Sequence, residues 1–398
     1  MARLNDVANI WNTIKELDVR DIREQAEQPC RIALIGERNE SRSRIAHILT
    51  SGADRFPPRG GSALDVLDLP LTRERGADLG RADLLILVLS GDQALSYDAF
   101  LAYEKLAVLP VPLVLVVVGR ADLPTPAPSV PTPDWAAAPA VFLAHTDNDE
   151  TIRKRVGAAI VETLPESLVL AAARRLPGLR AAAARAIIAN VSLSNATYAF
   201  TTGLSEIIPV LNLPLNAADM IVMTKNQAIL VYRIGLAMGA DGEFSTMIKE
   251  IMPVIGGGFI WRQLARQLVG LIPVVGLLPK VAVSYAGTYA TGVVAARWYE
   301  HGELLSRAAI QTVMRDALDE GRRRGQALLQ SRKNNAAAPI DAAPAILPAP
   351  APATKQPNLL RRISRRIRDA LPGKRKRAAK PTKPAQSAVV VETTEATE

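Results

Sequence analysis

Five short, almost unbroken apolar runs lie within the first 165 residues, and they restrict the fold more than any other feature of the chain. They are 31–36 (Arg-Ile-Ala-Leu-Ile-Gly), 64–69 (Leu-Asp-Val-Leu-Asp-Leu), 83–89 (Asp-Leu-Leu-Ile-Leu-Val-Leu), 111–118 (Val-Pro-Leu-Val-Leu-Val-Val-Val) and 140–144. Short runs with little polar alternation suit strands covered on both faces, as in a parallel sheet. Helical segments fit at 42–50, 94–107 and 148–163, and the Pro-rich stretch 123–134 reads as an exposed loop. This alternation predicts a doubly wound α/β domain over 29–164, in which ligands bind beyond the carboxyl ends of the strands.

The first run leads into the candidate site. Gly36 ends it, the polar stretch Glu37-Arg-Asn-Glu-Ser41-Arg42-Ser43 follows, and Ile45-Ala-His-Ile-Leu49 resumes a helical apolar spacing. Strand, loop and helix in that order form the layout of a phosphate-binding loop, G-x-x-x-x-G-K-[ST]. Gly36 and Ser43 match the pattern, whereas Ser41 stands in place of its second glycine and Arg42 in place of its lysine. A side chain at 41 hinders the close backbone approach that cradles phosphates. A planar guanidinium does not replace a compact ammonium between phosphates. Three further stretches follow in order: Val66-Leu-Asp68-Leu-Pro70-Leu71, Val118-Gly119-Arg120-Ala121-Asp122 and Phe142-Leu-Ala144-His145.

Taken together, these four stretches resemble the Era-like branch of the translation-factor GTPases. The resemblance implies a P-loop GTPase-like fold, with Asp68 placed as the aspartate of D-x-P-G that reaches the magnesium shell. It implies that Asp122 pairs with guanine and that Ala144 lies in the loop backing the base. Gly36, Arg42, Ser43, Asp68, Asp122 and Ala144 would then be the nucleotide contacts, for GTP or GDP with Mg2+, and Ser43 and Asp68 the groups on the metal side. The departures are equally specific. Leu71 replaces the glycine that senses the third phosphate, and Gly119 replaces the asparagine of the base motif. The segment between 50 and 64 holds no threonine, and no glutamine is placed to orient a water. These losses predict weak or absent nucleotide binding, no catalytic residue and no GTP hydrolysis.

From 165 to 330 the pattern changes to long helical segments broken by Pro and Gly. Two stretches look like copies, Ile207-Ile-Pro209-Val-Leu-Asn-Leu-Pro214-Leu215 and Leu271-Ile-Pro273-Val-Val-Gly276-Leu-Leu-Pro279. Prolines at this density break helices, so both read as turns. Apolar turns are either buried against protein or dipped into lipid, which makes Ile207, Ile208, Leu271, Ile272, Val274 and Val275 candidate membrane contacts. Val281–Ala296 is uncharged, with small residues at Ala282, Ala286 and Ala290 and again at Ser284, Thr288, Gly292 and Ala296. Such ridges let helices approach closely and recur in membrane helix pairs. At ~1.5 Å per residue the segment is nevertheless short of a ~30 Å hydrocarbon core, so it allows a re-entrant hairpin but no clean span. Residues 185–320 resemble a helical family known as domain of unknown function 697, which includes YcjF-like proteins. Ala218-Asp219-Met, Gln227-Ala-Ile-Leu-Val-Tyr-Arg233-Ile-Gly and Gly256-Gly-Gly258 carry the likeness, together with the two apolar turns. That resemblance implies membrane association next to a GTPase-like domain.

Both ends of the chain are distinct from these parts. Within 1–28, Val7, Ile10, Trp11, Ile14 and Leu17 predict an amphipathic helix over 5–18, packed on the next domain or lying on a membrane surface. No signal peptide is visible there. Residues 331–398 carry 14 Lys and Arg against 5 Asp and Glu, which accounts for the whole net charge of +9. This Ala/Pro-rich and basic tail is expected to be disordered. Inside it, Leu360, Ile363, Ile367 and Leu371 share one face of a basic amphipathic segment suited to an anionic membrane. Nucleic acid would attract the same charges, but suits the apolar face less well.

The composition supports no metal centre, since the one cysteine, Cys30, and the three histidines are scattered. Aromatic residues at 4% argue against a stacking platform for single-stranded nucleic acid. The expected function is a membrane-associated, GTPase-like regulatory or scaffolding protein on the cytoplasmic side, working with a protein partner. Two other readings stand beside it. One is a divergent GTPase completed by a partner, and the other a soluble scaffold with partner-binding apolar turns and a polyanion-binding tail.

Overall fold

The computed structural model describes residues 17–52, 55–135, 138–205, 217–256 and 277–334. All five expected strands form: β1 (Ile32–Gly36), β2 (Leu64–Asp68), β3 (Leu84–Ser90), β4 (Leu113–Val118) and β5 (Ala140–Leu143). They pair in parallel throughout, in the order β2-β1-β3-β4-β5. Alternate residues of one strand enter two different cores, because successive side chains point to opposite faces. Ile32 and Leu34 join one core, and Ala33 and Ile35 the other. This explains why the runs read as continuously apolar.

Five helices accompany the sheet: α1 (Arg20–Glu27), α2 (Glu40–Thr50), α3 (Arg73–Asp78), α4 (Tyr97–Ala107) and α5 (Asp149–Thr163). Side chains of Asn39, Thr72, Ser96 and Asn148 accept an amide of the first turn and fix where α2, α3, α4 and α5 begin. Helices α2 and α5 cover one face of the sheet and α4 the other. The loop 123–134 differs from expectation. Pro124, Val130 and Pro133 are buried, and the Tyr103 hydroxyl donates to the carbonyl of Asp134. The second face of the sheet extends beyond what α4 covers, and this loop adds Leu123, Ala127 and Val130 to it, while Leu79 and Ala82 come from the segment after β2.

The chain beyond residue 165 is helical, with no strand among the described residues. Its elements are α6 (Glu166–Arg175), α7 (Arg180–Ser205), α8 (Ala217–Ala237), α9 (Phe244–Gly256), α10 (Leu277–His301) and α11 (Arg307–Asn334). Helix α10 lies at the centre, against α7, α8 and α11. The small-residue ridges permit this approach. A Cβ on Gly292 would sit 2.6 Å from Ile188, and one on Gly321 of α11 would sit 2.9 Å from the Cα of Ala282. The apolar character of 281–296 is thus matched by burial within the helices. A polar belt crosses the bundle: Asn226 donates to Asn195 at 2.6 Å, Asn195 to Thr288 at 2.9 Å, and Ser284 to the Asn195 carbonyl at 2.9 Å.

The sheet and the helices share one core, which runs from Ile32 and Leu34 through α2, α5 and α6 to Leu230 of α8 and Tyr299 of α10. Contact is closest at Gly178, where an added Cβ would lie 2.3 Å from the carbonyl oxygen of Ile48. The fully buried Arg180 donates to the carbonyls of Phe56 (2.7 Å) and Pro57 (3.1 Å). Among the described residues no helix is long and apolar enough to cross a membrane. The helix expected over 5–18 lies outside the described residues except at its last two positions. Also outside them are Ile207, Ile208, Leu271, Ile272, Val274 and Val275 of the apolar turns, and the tail segment with Leu360, Ile363, Ile367 and Leu371. Leu277, Leu278 and Pro279, read from sequence as the end of the second turn, instead open α10, where a proline in the first turn costs no helical hydrogen bond. Ser331–Asn334, assigned to the tail from sequence, instead complete α11.

Candidate functional site

All strands run the same way, but the order in which they are added reverses between β1 and β3, and ligands of such sheets bind at this switch point, here beyond Gly36 and Ser90. Only residues 37–39 separate β1 from α2. Helix α2 therefore starts early, and Ser41, Arg42 and Ser43 are helical rather than part of a loop wrapped around an anion. The Asn39 side chain takes the amide of Arg42 at 2.9 Å, and Glu40 adds a negative charge to the first turn. Both features satisfy the positive end of the helix from within the protein.

Arg42 itself turns inward. It is 5% exposed, and one guanidinium nitrogen donates to the carbonyls of Gly36 (3.2 Å) and Leu67 (3.0 Å) and to the carboxylate of Asp68. Its Nε makes no hydrogen bond. The hydrogen bond from Arg42 holds the Asp68 carboxyl below the usual carboxylate range, and Arg38 and Arg75 add to the effect. The structure thus joins Gly36, Arg42 and Asp68 in one network. The glycine at 36 has a local cause, because a Cβ there would lie 2.9 Å from the carbonyl oxygen of Val88 on β3.

The other candidates lie apart from this network. The Ser43 hydroxyl is exposed and donates to the Asn39 carbonyl at 2.9 Å. Asp122 is exposed in the loop after β4. The amide of Ala144 is taken by Asp147 at 2.9 Å. Several residues at the same edge were not singled out from sequence. Glu37 accepts the Ser96 hydroxyl at 2.8 Å, which ties the β1–α2 loop to the start of α4. Asp92, after β3, pairs with His145, after β5. Between them Gly119 has φ +119°, and an added Cβ would collide with the Asp92 carboxylate at 2.3 Å. The position of Asp92 just past the end of an apolar run was the available signal.

The connection from α2 to β2 is held as well. Arg180 binds its carbonyls at 56 and 57, the amide of Arg59 donates to the carbonyl of Arg174 at 3.0 Å, and Arg55 pairs with Glu250 at 3.4 Å. Chemically, the groups nearest the strand ends are paired within the protein: Arg42 with Asp68, Glu37 with Ser96 and Asp92 with His145. An entering phosphate would have to displace Asp68 from Arg42 and lie near Glu37 and Glu40, and a cation would need Asp68 released. Among the described residues no group of His, Cys, Asp and Glu could hold a metal ion. No family model matches this sequence, and no curated protein or solved structure is significantly similar to it.

Proposed function

We propose that this chain is a membrane-associated, GTPase-like regulatory or scaffolding module whose nucleotide site has been replaced by an internal ion pair. The observation that carries this reading is the inward-turned Arg42, which engages the carbonyls of Gly36 and Leu67 and the carboxylate of Asp68. Its cation takes the role that a nucleotide's metal ion would otherwise have beside Asp68. The clamped segment 55–59 supports the same view. A connection held by Arg180, Arg174 and Glu250 is suited to presenting a fixed surface rather than to responding to a third phosphate.

Membrane association rests on the apolar turns around 207–215 and 271–279 and on the basic amphipathic segment 359–371. Phosphate release from GTP with Mg2+ and sedimentation with anionic vesicles test the two halves of the proposal. The expected results are no release above the protein-free rate, and co-sedimentation that falls with added salt. GTP turnover would overturn the non-catalytic reading, and a protein left in the supernatant would overturn the membrane reading.

A further inference from the structure

The carboxyl edge of the sheet is not the only place where a charged group lacks an external partner. A cleft of about 260 Å³ opens among α5, α6, α7 and α8, and it shares no residue with the Arg42 network. Leu164, Leu170, Ile187 and Val191 give it aliphatic walls. Arg233 lines it from α8 and is 8% exposed. Its Nε makes no hydrogen bond, and among the described residues no carboxylate lies within ion-pair distance of it. Asn190, half-buried, adds an amide, while Glu162 and Glu166 are exposed members of the lining.

Burial pushes the Arg233 pKa down, and the field of Glu166 opposes that only in part. A guanidinium stays charged under such conditions. A buried charge without a partner is strongly unfavourable, and a leucine or methionine of similar size would fill the position at less cost. A ligand that brings an anion removes the penalty. The lining contains no aromatic ring to stack on a base, and the volume matches about nine water molecules at ~30 Å³ each. A head group with a short chain fits that space.

We infer that this cleft binds a small aliphatic anion, its carboxylate or phosphate head on Arg233 and Asn190 and its chain between Leu164, Leu170, Ile187 and Val191. The site is independent of the state of the Arg42 network. Either a free acid or a phosphate monoester of a short lipid would supply the required chemistry.

Titration calorimetry and thermal shift on the full chain test this with octanoate, octyl phosphate, octanol and octylamine. The expected result is that at least one anion binds ten-fold or more tightly than octanol, and that octylamine does not bind. The tighter of the two anions identifies the head group. Arg233→Met should lose the preference for the anion while melting no lower than the parent protein. Arg233→Lys, which keeps the charge without the planar fork, should retain a weakened preference, and Glu166→Gln should strengthen anion binding several-fold. Equal affinity for octanoate, octyl phosphate and octanol would overturn the proposal, as would an anion preference that survives in Arg233→Met. A lower melting temperature for Arg233→Met would also overturn it, by showing that the charge is already compensated.

Discussion

Arg42 and Asp68 face each other across the ends of β1 and β2, one side chain 7% exposed and the other 49% exposed. The pair joins the third residue of α2 to the last residue of β2, and the same guanidinium also holds two strand-end carbonyls. Arg42→Ala removes the donor to Gly36 and Leu67 in a buried setting, and the expected loss is about 2 kcal/mol of unfolding free energy. Urea denaturation of the variant measures it, and a change within error would show that the guanidinium is not needed to close the edge.

Acid should weaken the same pair. The Arg42 hydrogen bond holds the Asp68 pKa below its unfolded value, so folding favours the ionised form. The stabilisation is complete above the unfolded carboxylate's pKa of ~3.9 and is lost as pH falls through the folded value. Asp68→Asn should therefore be less stable than the parent at about pH 7, and the gap should close as pH falls below ~3.9. Melting curves of both proteins across that range give the comparison. A gap that does not change with pH would mean that the ion pair contributes nothing.

Gly178 lies where the helices meet α2. A methyl group there would collide with the carbonyl of Ile48 and the Cα of Leu49, which are main-chain atoms that cannot rotate away. Gly178→Ala should cost about 2–3 kcal/mol. Because one core spans the sheet and the helices, near-ultraviolet and far-ultraviolet signals should still fall in a single transition. Two separate transitions would show that the sheet and the helices unfold independently.

Asn195 is the hub of the buried polar belt. Asn195→Ala leaves the Asn226 amide without its acceptor and removes the amide donated to Thr288, and should cost about 2–3 kcal/mol. Asn226→Ala in the same background should then cost less than it does alone. Full additivity in this double-mutant cycle would contradict a coupled network.

Cys30 gives an internal reporter of opening. It is buried next to β1, and burial together with Asp83 pushes its thiol up to about 12. A thiol reagent at about pH 8 should react only through unfolding, at a rate that rises steeply with urea. Immediate stoichiometric reaction of the native protein would place Cys30 outside the core.

The fold of the first half was legible because burial on both faces leaves an unmistakable mark on a strand, and Leu84–Ser90 and Leu113–Val118 carry it plainly. The helical half was legible as helices, but 281–296 was ambiguous. A small, uncharged segment has the same composition whether it packs on protein or on another membrane helix, and only the partners Ile188, Leu230 and Gly321 distinguish the two. At the candidate site, the sequence showed an arginine at the position where the phosphate-binding pattern has a lysine. It could not show that α2 begins at Glu40, which turns the loop into a helical turn and points the guanidinium inward. The pairing of Asp92 with His145 was not legible because the two are distant in sequence and meet only once β3, β4 and β5 are side by side.

The central claim, that Arg42 and Asp68 have replaced a nucleotide, is tested most directly by titrating the full chain with a fluorescent GTP analogue in the presence of Mg2+. With the pair in place of a nucleotide, no saturable signal is expected up to millimolar nucleotide, and no change in melting temperature at the same concentrations. Saturable binding in the micromolar range that is lost on removing Mg2+ would contradict it, because Asp68 would then have to leave Arg42 for a metal.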